Sequence, residues 1–171
     1  MVPGSARPAC IRHYTALPED PVRNYPGSSE LLSISTLLAR PLGLKRLGVR
    51  HEIVPPGHRT SWPHAHATEE ELVYVLEGTP HVWLDGVLHP LGPGDVVAFP
   101  PGTGQAHTVI NDSEQPVRLL VVGEQRRADD RITYPLHPAR EASLPNERRW
   151  TDAPRHPLGP HDGLPEAQRK R

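Results

Sequence analysis

Apolar and polar side chains alternate with a period of two through the middle of the chain, which predicts strands rather than helices. Residues 44–54 have strand composition, with Leu47, Val49, Ile53 and Val54 set among basic residues, and Pro55-Pro56-Gly57 ends the run. Residues 72–76 read as a half-buried strand closed by Glu77-Gly78. Val82-Trp83-Leu84 and Val87-Leu88-His89 flank Asp85-Gly86, the signature of a two-residue type I′ hairpin. Residues 96–99 stop at Pro100-Pro101-Gly102, and residues 108–110 stop at Asn111-Asp112. Residues 117–123 are apolar almost throughout, which predicts burial on both faces with Arg118 reaching solvent. Ile132-Thr133-Tyr134 can add one strand more. The expected class is all-β.

The two ends lack this period. Residues 1–41 read as an arm, with an edge strand over Ile11-Arg12-His13-Tyr14 and a short helix opened by Ser28-Ser29-Glu30. Leu31, Ile34 and Leu38 would share that helix's face, and Pro41 would end it. Residues 42–124 form the strand-rich domain. Residues 125–171 form a Pro/Arg/His-rich C-terminal extension that either wraps over that domain, with Trp150 and Leu158 as anchors, or stays flexible.

Composition narrows the function classes. The 171 residues are 36% hydrophobic and include 22 prolines, so part of the chain lies outside a packed core. A formal net charge of -1 favours neither nucleic acid nor an anionic membrane as partner. The single cysteine, Cys10, excludes an internal disulfide and a Cys-based zinc site. Neither a membrane-spanning apolar run nor a signal-peptide segment is present, so a soluble cytoplasmic protein is expected.

The chemistry gathers in two stretches. His64 and His66 are two apart, so on an extended strand both rings leave the same face. Glu71 shares parity with Val73 and Val75; if those face inward, a carboxylate joins the two imidazoles. Such a set suits a divalent first-row metal. His107, at the head of a later strand, would bring it to three His and one Glu, with one or two positions open for water, oxygen or a chelating substrate. Trp62 shares the parity of the His pair and is either a substrate wall or rim packing. Arg59 is either a fork for an anionic substrate or a solvated loop charge. Gln105, in a loop beside His107, is the third candidate for substrate contact. Glu69 and Glu70 are expected outside, Tyr74 has the wrong parity to face a metal, and His81 and His89 are expected at the surface. His156, His161 and Asp162 lie in a Pro/Gly-rich segment that would seldom preorganise ligands.

Gly57-x6-His64-x-His66-x4-Glu71-x6-Gly78, followed by Gly94-x5-Pro100-x-Gly102-x4-His107-x3-Asn111, resembles the paired motifs of the cupins. There is one extra residue before His64 and there are two before His107, all in loops. The resemblance covers residues 42–124 and implies a double-stranded β-helix, or jelly-roll barrel, with a metal in its mouth. His64, His66, Glu71 and His107 match the ligand positions. It further implies iron(II) or manganese, with zinc or nickel as alternatives. The expected activity is that of a metal-dependent enzyme on a small oxygen-rich molecule, of dioxygenase, oxidase or decarboxylase type. The alternatives are a non-redox isomerase or lyase and a non-catalytic module for a sugar-like ligand. No catalytic base is identified, and no helix-turn-helix pattern stands at either end. A barrel of about 80 residues is too small to bury much of its own surface, so a homodimer is expected.

Overall fold

The computed structural model describes residues 7–21, 23–125 and 127–169. Its strands run, in chain order, β1 (Ile34–Leu37), β2 (Leu47–Val54), β3 (His58–Arg59), β4 (Ala65–His66), β5 (Glu71–Glu77), β6 (His81–Leu84), β7 (Val87–Pro90), β8 (Val96–Phe99), β9 (His107–Asn111), β10 (Val117–Glu124) and β11 (Ile132–Thr133). They form a five-stranded sheet in the order β1-β2-β10-β5-β8, a four-stranded sheet in the order β3-β9-β6-β7, and a short β11-β4 ladder. Every strand pairing is antiparallel, and the all-β reading holds. Among the described residues no helix is long and apolar enough to cross a membrane.

Period-two alternation decides which side chains enter the space between the sheets. Val54, Val73, Val75, Val82, Phe99, Val109, Val117 and Leu119 form one buried cluster there. Burying each contributes roughly 1.5–3 kcal/mol. Val73 and Val75 are 2% and 0% exposed while Tyr74 is 37% exposed, so the predicted parity of β5 holds and Glu71 points inward with the valines. The β6–β7 turn places Asp85 at φ 44° and Gly86 at φ 90°, the paired positive dihedrals of a type I′ hairpin.

Several expectations change. Residues 34–37 are a strand, not part of a helix: β1 pairs with the edge of β2. Ladder hydrogen bonds outweigh a weak helical pattern interrupted by Ser33, Ser35 and Thr36. The five-stranded sheet therefore begins inside the stretch read as an arm. Residues 11–14 form no edge strand; a 3-10 turn covers Tyr14–Ala16, and Glu19 makes an isolated antiparallel bridge to Thr36 of β1. β10 is not buried on both faces. Leu120 and Val122 are half-buried, and Leu47, Tyr74, Leu76 and Val96 are exposed on or beside that outer side.

The C-terminal extension lies along the barrel. Gly159 N donates to Asp85 O at 2.6 Å and His161 N to Gly86 O at 3.0 Å, while Trp83 Nε1 donates to His161 O at 2.9 Å. Trp150 is 5% exposed and anchors the extension; Leu158, at 47%, does not.

A buried ion pair ties arm, barrel and extension together. The Arg59 guanidinium is fully buried; its Nε and Nη2 donate to the Glu30 carboxylate at 2.7 and 2.8 Å, and its Nη1 to Gly163 O at 2.7 Å. Glu30 also accepts from Trp62 Nε1 at 2.7 Å. These bonds hold the Glu30 carboxyl below its ordinary range although burial pushes it up. Replacing Glu30 by Ala strands a buried guanidinium, so E30A should lose about 3 kcal/mol in urea unfolding; an unchanged midpoint would contradict the clamp.

Candidate metal centre

Strands from the two large sheets and the short β11-β4 ladder bring the four motif residues to one end of the barrel. β4 carries His66, β5 begins at Glu71 and β9 begins at His107. His64 is held by an antiparallel bridge to His107, with backbone hydrogen bonds of 3.3 and 2.9 Å. The His64 and His66 rings meet edge-on at a centroid distance of 5.0 Å, and those of His64 and His107 are 4.8 Å apart. One ligand-competent atom each from His64, His66 and Glu71 lies within 4.8 Å of the others. His107 is not in that group of three, but its Nε2 lies 3.6 Å from Glu71 Oε2 beside it.

Each imidazole is oriented by what its other nitrogen meets. His64 Nδ1 lies 2.7 Å from the Trp62 carbonyl, which fixes it as the protonated nitrogen and turns Nε2 toward the cluster. His66 Nδ1 lies 2.8 Å from Asp130 Oδ2. Asp130 is fully buried and also accepts from the backbone of Thr68 and Glu69. A carboxylate behind a histidine in this way raises the basicity of the ring as a ligand. His107 stacks on Phe99 at 3.6 Å with 6° between the rings, and both its ring nitrogens are buried without a hydrogen-bond partner.

The electrostatics follow from burial and crowding. Burial, then His107 and His66, depress His64 to about 3, so it is a neutral donor across the physiological range. Burial pushes His66 down, but the Asp130 hydrogen bond and the charges of Glu71, Asp130 and Glu69 reverse it, and the net shift is upward. Burial would raise Glu71, but His107 and then the other two imidazoles hold it at about 2. Neutral His64, ionised Glu71 and the unpartnered Nε2 of His107 together fit a divalent cation, which would satisfy the His107 nitrogen that faces Glu71.

Beneath the cluster opens a chamber of ≈ 930 Å³, lined among others by His64, His66, Glu71, Glu52, Tyr134 and Arg140. Glu52 stands on the inner face of β2, level with Ser35, Leu119 and, across β10, Val75. It is 7% exposed, and its Oε2 accepts from the Ser33 hydroxyl at 2.8 Å. Burial pushes its carboxyl up to about 7.

The three substrate-contact candidates go to different places. Gln105 is exposed and lines a small cleft with His66, Glu69, Glu71 and His107. Trp62 is stacked between Tyr25 at 4.2 Å and His137 at 4.1 Å, and Arg59 is spent on Glu30; both belong to the clamp rather than to the chamber wall. Glu69 is not outside as expected: it is half-buried, with Oε2 3.7 Å from His66 Nδ1, because the turn folds back over Asp130. His156 Nε2 bonds to Thr103 O of the loop before β9 at 2.8 Å, and His161 Nδ1 accepts from Gly163 N at 3.0 Å.

The motif reading missed Glu52, Asp130, Tyr134 and Arg140. Glu52 carries a signal, since it shares parity with the buried Val54 in a predicted strand. Asp130 sits in a charged stretch and meets His66 across 64 residues, and no local pattern marks it.

Residues 50–123 match the cupin domain family. An uncharacterized protein of Methanocaldococcus jannaschii is 37% identical over 68 residues, 40% of this chain and 52% of that protein, so the chain spans about half of its length. The fold is similar to that of a sugar phosphate isomerase of the cupin superfamily from Silicibacter pomeroyi, with TM-score 0.57 and 34% identity over 60% of this chain and 64% of that one, short of two thirds of its length. It is also similar to the polyketide cyclase RemF of Streptomyces resistomycificus, with TM-score 0.60 and 28% identity over 81% and 94% of the two chains.

Two measurements check this geometry. Asp130→Asn should weaken metal affinity roughly 10–100-fold in a chelator competition with the fold retained; equal affinity would remove Asp130 as an orienting group. Glu52 keeps its proton in the folded state between 4.5 and about 7, where the unfolded chain has released it. Stability should therefore fall as pH rises through that window and level off above it. Glu52→Gln in metal-free protein should remove that slope, gaining roughly 3 kcal/mol at pH 8 relative to pH 4. A variant whose unfolding free energy tracks the parent at every pH would contradict it.

Proposed function

We propose that this chain, a member of the cupin superfamily through its residues 50–123, is a metal-dependent enzyme acting on a small oxygen-rich molecule by proton transfer, in the manner of an isomerase or lyase. His64, His66, Glu71 and His107 are the ligands, for iron(II) or manganese in first place and zinc or nickel after them. A divalent ion bound there would act as a Lewis acid toward a chelating substrate oxygen.

The observation that carries this reading is Glu52. A carboxyl buried in the chamber and poised near neutral pH is costly to keep and suited to take or give a proton. This reverses the order drawn from the motifs alone, which put oxidase and decarboxylase chemistry first. A sugar phosphate isomerase and a polyketide cyclase among the similar structures support the reversal. In this scheme Glu52 serves as the proton carrier and Ser33 Oγ holds its carboxyl, with the buried Ser35 hydroxyl beside it.

The unit proposed to do this is a cytoplasmic homodimer. Leu47, Tyr74, Leu76 and Val96 leave an apolar outer side that a second copy would cover.

The test uses metal-loaded protein in deuterated buffer with a panel of small ketocarboxylates, hydroxycarboxylates and sugar phosphates, read by proton NMR. Deuterium should enter at carbon next to a carbonyl in at least one compound, and Glu52→Gln should slow it at least 100-fold while retaining the metal. Oxygen uptake without any exchange would overturn the proton-transfer reading in favour of oxidative chemistry.

A further inference from the structure

Arg140 is the chamber group that neither the ligand cluster nor the clamp uses. It is half-buried on the short helix α1 (Pro138–Ala142) of the C-terminal extension, and its side chain lines the chamber. Its Cζ stands 5.4 Å from the centre of the Tyr25 ring and 5.6 Å from that of Tyr134. Two aromatic rings at that distance favour a cation without consuming any of its N–H donors.

Those donors are largely unspent. Arg140 Nε is buried with no hydrogen-bond partner, and Nη1 has only a long 3.4 Å bond to Ser143 Oγ. Among the described residues no carboxylate lies within 4.0 Å of it. The other arginines of the lining differ: Arg50 is paired with Asp20 at 3.0 Å, and Arg40 is exposed. An unpaired guanidinium with an orphaned buried N–H is costly unless something supplies the missing acceptor. A planar fork suits carboxylate or phosphate oxygens.

Its place relative to the metal ligands gives the site a direction. The Tyr134 ring that carries Arg140 lies 5.9 Å from the His64 ring. Guanidinium and ligand cluster thus flank the same aromatic ring and line the same chamber.

We propose that Arg140, held between Tyr25 and Tyr134, is the oxyanion subsite of the chamber, and that the substrate is a small anion whose carboxylate or phosphate group it binds. This deepens the reading of the chamber as a substrate site and rests on it. It also moves the anion-binding role from Arg59, whose fork Glu30 fills, to a residue of the C-terminal extension.

The test does not depend on turnover. Metal-free protein is titrated with inorganic phosphate and with malonate at constant ionic strength by calorimetry, for the parent, Arg140→Gln and Arg140→Lys. At least one anion should bind saturably to the parent, at least tenfold more weakly to Arg140→Gln, and with intermediate strength to Arg140→Lys, which keeps the charge without the fork. Preference for phosphate would assign a phosphate ester, and preference for malonate a carboxylate. No saturable binding to the parent, or equal binding to parent and Arg140→Gln, would overturn the subsite. Should Arg140→Gln fail to fold, Arg140→Lys decides instead: weaker binding than the parent supports the subsite, and equal binding overturns it. Because metal is absent throughout, failure here leaves the exchange activity untouched, and failure of exchange leaves the anion titration standing.

Discussion

His107 is buried with neither ring nitrogen hydrogen-bonded, and its Nε2 faces the Glu71 carboxylate across the candidate metal site. Phe99 stacks flat on the ring, the bridge to His64 fixes the backbone, and Glu71 waits at 3.6 Å. An apolar residue at 107 would pack as well without leaving unpaired polar atoms. A cation at Nε2 would remove that nitrogen's share of the penalty and make the same geometry favourable there. The Asp130–His66 bond and the His64 contact with the Trp62 carbonyl serve the same end by fixing which nitrogen faces the cluster.

The chamber repeats this arrangement. Glu52 is held near neutrality by burial, and Arg140 has an unanswered N–H. Each costs stability in the empty protein. The Arg59–Glu30 pair offsets part of that cost by joining arm, barrel and extension through hydrogen bonds that are fully made. The molecule thus combines a hydrogen-bonded ion pair that fastens it with costly groups, Glu52 and Arg140, that line the cavity.

The features legible in the sequence were local or periodic. The parity of Val73 and Val75 placed Glu71 inside, the Asp85-Gly86 pair set the hairpin, and the spacing of the histidines named the cluster. The features that were not legible depend on long-range pairing. β1 has a helical pattern in sequence, but the edge of β2 claims its backbone. Trp62 and Arg59 lie close to the motif in sequence, yet Glu30, Tyr25 and His137 draw them away from the chamber. Asp130 and Arg140 come from segments without period, so only the folded chain brings them to the site. Glu52 lies between these cases, since its strand is predicted and its inward parity is legible, but nothing in the sequence fixes the depth of its burial.

Metal binding by the four-residue cluster is the central claim. The direct measurement is elemental analysis by plasma mass spectrometry of the purified protein beside a His64→Ala, His107→Ala double variant. About one iron or manganese, or failing those one zinc or nickel, is expected per chain in the parent and none in the variant. No metal in either protein, even after reconstitution, would contradict the claim and leave the barrel as a metal-free binding module.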